Sequence, residues 1–332
     1  MSDTDPFPPA QTIPVGDVAL AVHRAGPAPG QTPRPPVVLL HGWPEIAFSW
    51  RYQLPALAAA GYPVIVPDQR GYGGADKPGG VENYTMARLT GDIAGLLDAL
   101  DIDKAVIVGH DWGALVTWAM PFYQPDRVRA LAGLNLPFLP RPAAAPTSLL
   151  RSMFGDTHYI VRFQTEGACE PILEADLDRT LRFFLRRPRS DRSGDGGGAF
   201  SVPNLDLIGR LQGDAAQWPG EEFLSESDLA VYRRAFAAGG MTAPLHWYRN
   251  LDANWEDMAR FQPVGGPTAP LPYPALIMTA ERDAACPPRL ADGMERFFAA
   301  TKRIDFDSVG HWLQQERPDA VNEALLAWLA EH

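Results

Sequence analysis

Three short stretches, 37–40, 64–66 and 105–108, are unbroken runs of apolar, mostly β-branched residues, the pattern of strands covered on both faces. Between the last two, Leu89, Ile93, Leu96, Leu97 and Leu100 recur at helical spacing, and a second helix of mostly small residues opens at Gly113. Strand and helix alternate, which predicts a parallel sheet with helices on both faces. Ahead of them, residues 12–24 read as a hairpin turning at Gly16-Asp17. The alternation stops at about residues 134–142. From there to about Trp255 the apolar positions fall mostly at helical spacing, as in 175–185 and 224–238, and a Gly- and Ser-rich loop is expected over 189–199. Strands resume at 275–279 and 303–306, and a last amphipathic helix covers 319–329. The simplest architecture is an α/β core, residues 1–139 and 256–332, split by a helical cap, residues 140–255, that roofs the strand ends.

Composition narrows the partners. A chain of 332 residues has room for one large α/β core with such an insertion. Its net charge of -11 leaves no basic surface for phosphate contacts, so nucleic acid and anionic membranes are disfavoured and a neutral ligand fits. No apolar run approaches the roughly 18 residues of a membrane span. Residues 1–10 are polar and Pro-rich and lack the regions of a signal peptide. Cys169 and Cys286 lie far apart, without metal-ligand spacing, and read as free thiols of a reducing cytoplasm. Among 29 basic residues only Lys77, Lys104 and Lys302 are lysine, which together with abundant Ala, Pro and Gly suggests a GC-rich bacterial genome. No metal or cofactor is expected, and self-association into a homo-oligomer is left open.

The chemistry centres on Val106-Ile107-Val108-Gly109-His110-Asp111-Trp112-Gly113, a buried strand turning sharply into a helix. This is the frame of a nucleophile elbow, G-x-S-x-G, with Asp111 where serine would stand. Gly109 and Gly113 flank the apex where strand and helix leave no room for Cβ atoms. A serine that displaced a leaving group from saturated carbon would end as an ether, which water cannot readily cleave. A carboxylate ends as an ester, which turns over, so Asp111 points to substitution at an sp3 carbon followed by ester hydrolysis. Two further residues fall just past strands: Asp283, preferred over its neighbour Glu281, and His311. The order nucleophile, acid, histidine is that of the α/β-hydrolase frame. His41-Gly42-Trp43-Pro44 follows the first buried strand, and the backbone N–H groups of Trp43 and Trp112 are placed to receive an oxyanion. His110 and Arg70-Gly71-Tyr72-Gly73 read as structural turn elements.

The cap supplies Tyr159 and Tyr248, each within an amphipathic helical segment. Two phenols over one cavity would hydrogen-bond an alkoxide leaving group and can protonate it, with an ordinary pKa of about 10. A halide would need no proton. Trp43, Trp112, Phe163, Phe183, Phe184, Trp247 and Trp312 suggest an apolar, aromatic-lined pocket.

From about Val37 to the C-terminus, these motifs resemble the soluble epoxide hydrolase family of α/β-hydrolases: His41-Gly42-Trp43-Pro44, Gly109-His110-Asp111-Trp112-Gly113, Tyr159 with Arg162-Phe163-Gln164, Trp247-Tyr248-Arg249-Asn250, the Asp283 loop, and Gly310-His311-Trp312. The resemblance implies a cofactor-independent enzyme that converts a small apolar epoxide and water to a vicinal diol, with a role in detoxification. It also implies a cis peptide before Pro44. Two other readings stay open from the residues alone. A haloalkane or haloacid dehalogenase would share the Asp nucleophile and could use the Trp112 indole on halide, although the paired tyrosines and the neutral Asn135 count against it. A ligand-binding protein on the same scaffold would need no turnover.

Overall fold

Eight strands form one sheet in the computed structural model, which describes residues 7–189 and 203–332. They are β1 (Gln11–Pro14), β2 (Ala19–Ala25), β3 (Val37–Leu40), β4 (Val64–Asp68), β5 (Ala105–His110) and β6 (Val128–Leu134), then, after the helical insertion, β9 (Leu271–Ala280) and β10 (Phe298–Phe306). The remaining pair, β7 (Arg186–Arg187) and β8 (Glu221–Glu222), makes a separate antiparallel ribbon inside the insertion. The sheet order is β1-β2-β4-β3-β5-β6-β9-β10. The β1–β2 hairpin is antiparallel, β2 joins β4 antiparallel, and every later pairing is parallel.

The apolar runs are unbroken because both faces of the strands are covered. Val38, Leu40 and Ile107 face one hydrophobic cluster while Val37, Leu39, Val106 and Val108 face another, the two-residue period of a strand read on both sides. The helix Met86–Ala99 packs its expected stripe, Leu89, Ile93, Leu96 and Leu97, into the first cluster. The C-terminal helix, Pro318–Leu329, buries Val321, Leu325 and Trp328 in the second.

Strand order reverses at β3, which pairs with β4 on one side and β5 on the other. A parallel sheet opens a crevice at such a switch point, beyond the carboxyl ends of its strands. Trp43 follows β3 and Asp111 follows β5, so both fall at that crevice.

Between β6 and β9 the described residues hold eight helices, from Pro146–Phe154 to Leu251–Met258. The stretch expected as one helix over 175–185 is observed as Leu177–Phe184, after a separate turn of helix at Glu170–Glu174. Asp176 ends the join, accepting from the Arg179 N–H at 2.9 Å as an N-cap. The helix expected over 224–238 is Glu226–Gly239, capped by Ser225. Most of the Gly-rich loop expected over 189–199 lies outside the described residues. Phe163, Tyr159 and Tyr248 join the same hydrophobic cluster as Trp43 and Trp112.

Candidate active site

The elbow is a matter of steric necessity. A Cβ on Gly109 would come within 2.1 Å of the Gly113 carbonyl oxygen, and one on Gly113 within 2.1 Å of the Leu40 carbonyl oxygen. Strand, turn and helix can approach this closely only with hydrogen at both positions. Asp111 between them adopts φ 51° and ψ -118°, a left-handed strain of about 1–3 kcal/mol for a non-glycine residue. The strained turn holds its carboxylate at the crevice, against the next loop. Gly42 is equally constrained, since a Cβ there would lie 2.5 Å from Asp111 Cβ.

The Trp43 N–H donates to Asp111 Oδ1 at 2.9 Å. Trp112 is the first residue of the helix Trp112–Tyr123, so its N–H is among the first-turn amides without an intrahelical acceptor. The Trp43-Pro44 peptide is cis. His41 is buried and turned away, with Nε2 accepting the Gln69 N–H at 3.1 Å.

His311 Nδ1 lies 2.7 Å from Asp283 Oδ2, and Nε2 lies 3.6 Å from Asp111 Oδ2. Glu281 instead accepts the Ser308 N–H at 2.7 Å. Burial pushes the imidazole pKa down, but the Asp283 charge and the contacts with Asp111 and Asp283 outweigh it and hold the pKa at about 10. The same contacts hold both carboxylates below their ordinary range, against burial, with Trp43 N–H adding to the effect on Asp111 and Cys286 N–H on Asp283. At neutral pH the site therefore rests as a carboxylate, an imidazolium and a second carboxylate in line.

Tyr159 and Tyr248 face this trio from the helices Tyr159–Phe163 and Thr242–Arg249. Their rings meet edge to face with centroids 6.0 Å apart, and the Trp112 ring packs edge-on to Tyr248. Burial, followed by the Asp111 charge for Tyr159 and by Tyr159 and Asp111 for Tyr248, pushes both phenols well above their ordinary pKa, so they stay protonated. Aromatic rings complete the surroundings: Tyr248 meets Trp112 at 4.9 Å, Phe163 at 5.1 Å and Trp43 at 5.7 Å between centroids. Phe184 lies against Trp43 at 4.7 Å, whereas Phe183 packs on Trp218 and Trp247 on Tyr72 and Trp112. Trp312 packs edge-on to His311 at 4.8 Å and donates its indole N–H to the Phe184 carbonyl.

Two supporting groups were not among the expected site residues. Asn135 Nδ2 donates to Asp283 Oδ2 at 2.8 Å and to the Gly310 carbonyl at 3.2 Å, steadying acid and histidine loop together. Glu45, wholly buried, accepts from the Gly42 N–H and from Gln314 and Gln315, and pairs with His110 Nδ1 at 2.8 Å. His110 Nε2 in turn bonds the His311 carbonyl at 2.7 Å, in keeping with a structural part. Among the described residues, Asp283, Cys286 and His311 form a group whose ligand atoms lie within 4.8 Å of one another and could hold a metal ion. An ion there would displace the Asp283–His311 bond. No helix among the described residues is long and apolar enough to cross a membrane.

A model of the alpha/beta hydrolase fold family matches residues 35–318. The chain is 41% identical over 327 residues to epoxide hydrolase A of Mycobacterium tuberculosis, covering 97% of each protein. It is 36% identical over 297 residues to bifunctional epoxide hydrolase 2 of Mus musculus, 89% of this chain but about half, 51%, of the mouse protein. Among solved structures, epoxide hydrolase A from Mycobacterium thermoresistibile aligns with a TM-score of 0.82 and 36% identity, covering 97% of this chain and 98% of that one. Potato epoxide hydrolase I aligns at 0.83 with 26% identity, covering 97% and 99%. With an aspartate at the elbow, two phenols above it and relatives of this kind along its length, the chain belongs to the epoxide hydrolase family of the α/β-hydrolase fold.

Proposed function

We propose that this protein hydrolyses small apolar epoxides to vicinal diols through a covalent ester on Asp111, with Tyr159, Tyr248, His311 and Asp283 as its other catalytic groups. The observation that carries the reading is two protonated phenols, their rings 6.0 Å apart, over an ionised carboxylate. Asp111 attacks one ring carbon as the carbon–oxygen bond breaks, and a phenol gives its proton to the leaving alkoxide. The imidazolium of His311 then restores that phenol through water. Esterification removes the Asp111 charge, one of the causes that hold the His311 pKa high, so the imidazole becomes a competent base at that point in the cycle.

Neutral His311, oriented by Asp283, takes a proton from water as the water oxygen bonds to the ester carbonyl carbon. The N–H groups of Trp43 and Trp112 receive the oxyanion. Collapse releases the diol and returns the carboxylate and imidazolium, so proton and charge balance over the cycle. The two buried, protonated phenols beside Asp111 support this reading over halide displacement, because a halide leaving group needs no proton donor. Residues 140–255 act as the cap over a core of 1–139 and 256–332, and two free, buried cysteines fit a cytoplasmic setting.

Replacing His311 with Gln tests the scheme. The variant should accumulate a protein adduct heavier by one whole substrate molecule in intact-mass spectra, while diol release stops. Diol formation at the wild-type rate with no adduct would refute the scheme.

A further inference from the structure

Two residues of the cap motifs, Gln164 and Arg249, take no part in the proton transfers, yet each stands at the C-terminal end of one phenol's helix and reaches across to the backbone of the other. Gln164 Nε2 donates to the Tyr248 carbonyl at 3.1 Å and to the Ile160 carbonyl at 2.9 Å. Arg249 Nε donates to the Phe163 carbonyl at 2.9 Å, while Nη2 reaches the Thr165 carbonyl and pairs with Glu170 Oε1 at 2.6 Å. The Arg249 and Glu170 side chains are 4% and 8% exposed, so the pair is shielded from water. Burial raises the Glu170 carboxyl pKa, but the Arg249 bond outweighs it and keeps the group ionised.

The helices concerned have five and eight residues, well below the roughly 12–15 at which an isolated helix becomes even marginally stable. Neither can hold a phenol by its own backbone. Phe163 and Tyr248 lie in the last turns of their helices, where carbonyls have no intrahelical donor. Gln164 and Arg249 supply those donors crosswise, which fixes the separation and tilt of the helices as well as satisfying them. We propose that Gln164 and Arg249 are positioning residues that hold the Tyr159 and Tyr248 hydroxyls in register on one epoxide oxygen, an inference that rests on the epoxide-opening reading. The clamp acts on ring opening alone, since ester hydrolysis uses groups carried by the core loops.

Ordinary helix capping would affect stability; a clamp affects one half-reaction. The test is rapid-mixing kinetics on Gln164→Met, which keeps length and loses the donor, and on Arg249→Lys, which keeps the charge facing Glu170 and loses the planar fork. Ring opening can be followed by the fluorescence of Trp43 and Trp112 beside Asp111, and ester decay in the same single turnover. Ring opening should slow about tenfold in Gln164→Met and up to about a hundredfold in Arg249→Lys, with ester decay unchanged. The loss should shrink for epoxides whose alkoxide is of low pKa and leans less on the phenols. If folded variants, judged by circular dichroism and melting, slow both steps equally or neither, the proposal is overturned. Should Arg249→Lys fail to fold, Gln164→Met decides alone, because the Arg249–Glu170 pair stays intact. A wild-type enzyme that forms no ester would instead overturn the epoxide reading itself.

Discussion

The half of the site carried by the sheet and the half carried by the helices above it are held by different means. Asp111 is fixed by backbone against backbone, at an elbow where a Cβ on either flanking glycine would stand 2.1 Å from a carbonyl oxygen. His311 is similarly enclosed: its carbonyl is bonded by His110, its ring by Asp283, and the adjoining Gly310 and Trp312 amides by Glu316. Tyr159 and Tyr248 ride on short helices tied together by side chains. In the proposed scheme the core half carries the groups that hydrolyse the ester, and ring opening also needs the cap to be in register. The two half-reactions should therefore be separable by mutation.

The largest effect belongs to the cap. Tyr159→Phe combined with Tyr248→Phe keeps the ring contacts and removes both acids, and kcat/KM for diol formation should fall by about 10⁴-fold, with each single change costing about 10²-fold. Undiminished turnover would show that the phenols do not assist the leaving oxygen. A smaller effect of opposite kind is expected in the core. Asn135→Ala removes the donor to Asp283 Oδ2, worth about 1.5 kcal/mol for a charged acceptor. Ester decay should slow about tenfold in single-turnover experiments, with ring opening unaffected. Slowing of ring opening instead would break the division between the two halves.

The smallest effect concerns stability. His311 has an ordinary pKa of 6.5 in the unfolded chain and about 10 in the folded one, so the native state binds the extra proton between those values. Its contribution to stability is whole below pH 6.5 and is lost as pH rises through about 10. The difference in Tm between wild type and His311→Gln should therefore narrow from about pH 6 to about pH 9. A difference that widens over this range would contradict the raised pKa.

The core half was legible in the sequence because each of its residues lies within a few positions of a strand's carboxyl end. The apolar runs located those strands, and Asp111, Asp283 and His311 followed from their ends. Glu45 was not recognised as a bonded acid, since its partners His110, Gln314 and Gln315 lie 65, 269 and 270 positions away. Asn135 was read for the acid it replaces, whereas its amide orients Asp283. The sequence supplied the two cap tyrosines, but their spacing depends on bonds from Gln164 and Arg249 across 84 and 86 residues, which no local pattern encodes. Trp112 was ambiguous for a related reason. Its ring neighbour, Tyr248, comes from a distant helix.

A single turnover with enzyme in excess of epoxide, run in water enriched in oxygen-18, tests the ester on Asp111 most directly. Peptide mass spectrometry should find the label in the Asp111 carboxylate, with the first diol released carrying none. Label in that first diol, and an unlabelled Asp111, would mean that water opened the ring directly and that no ester had formed.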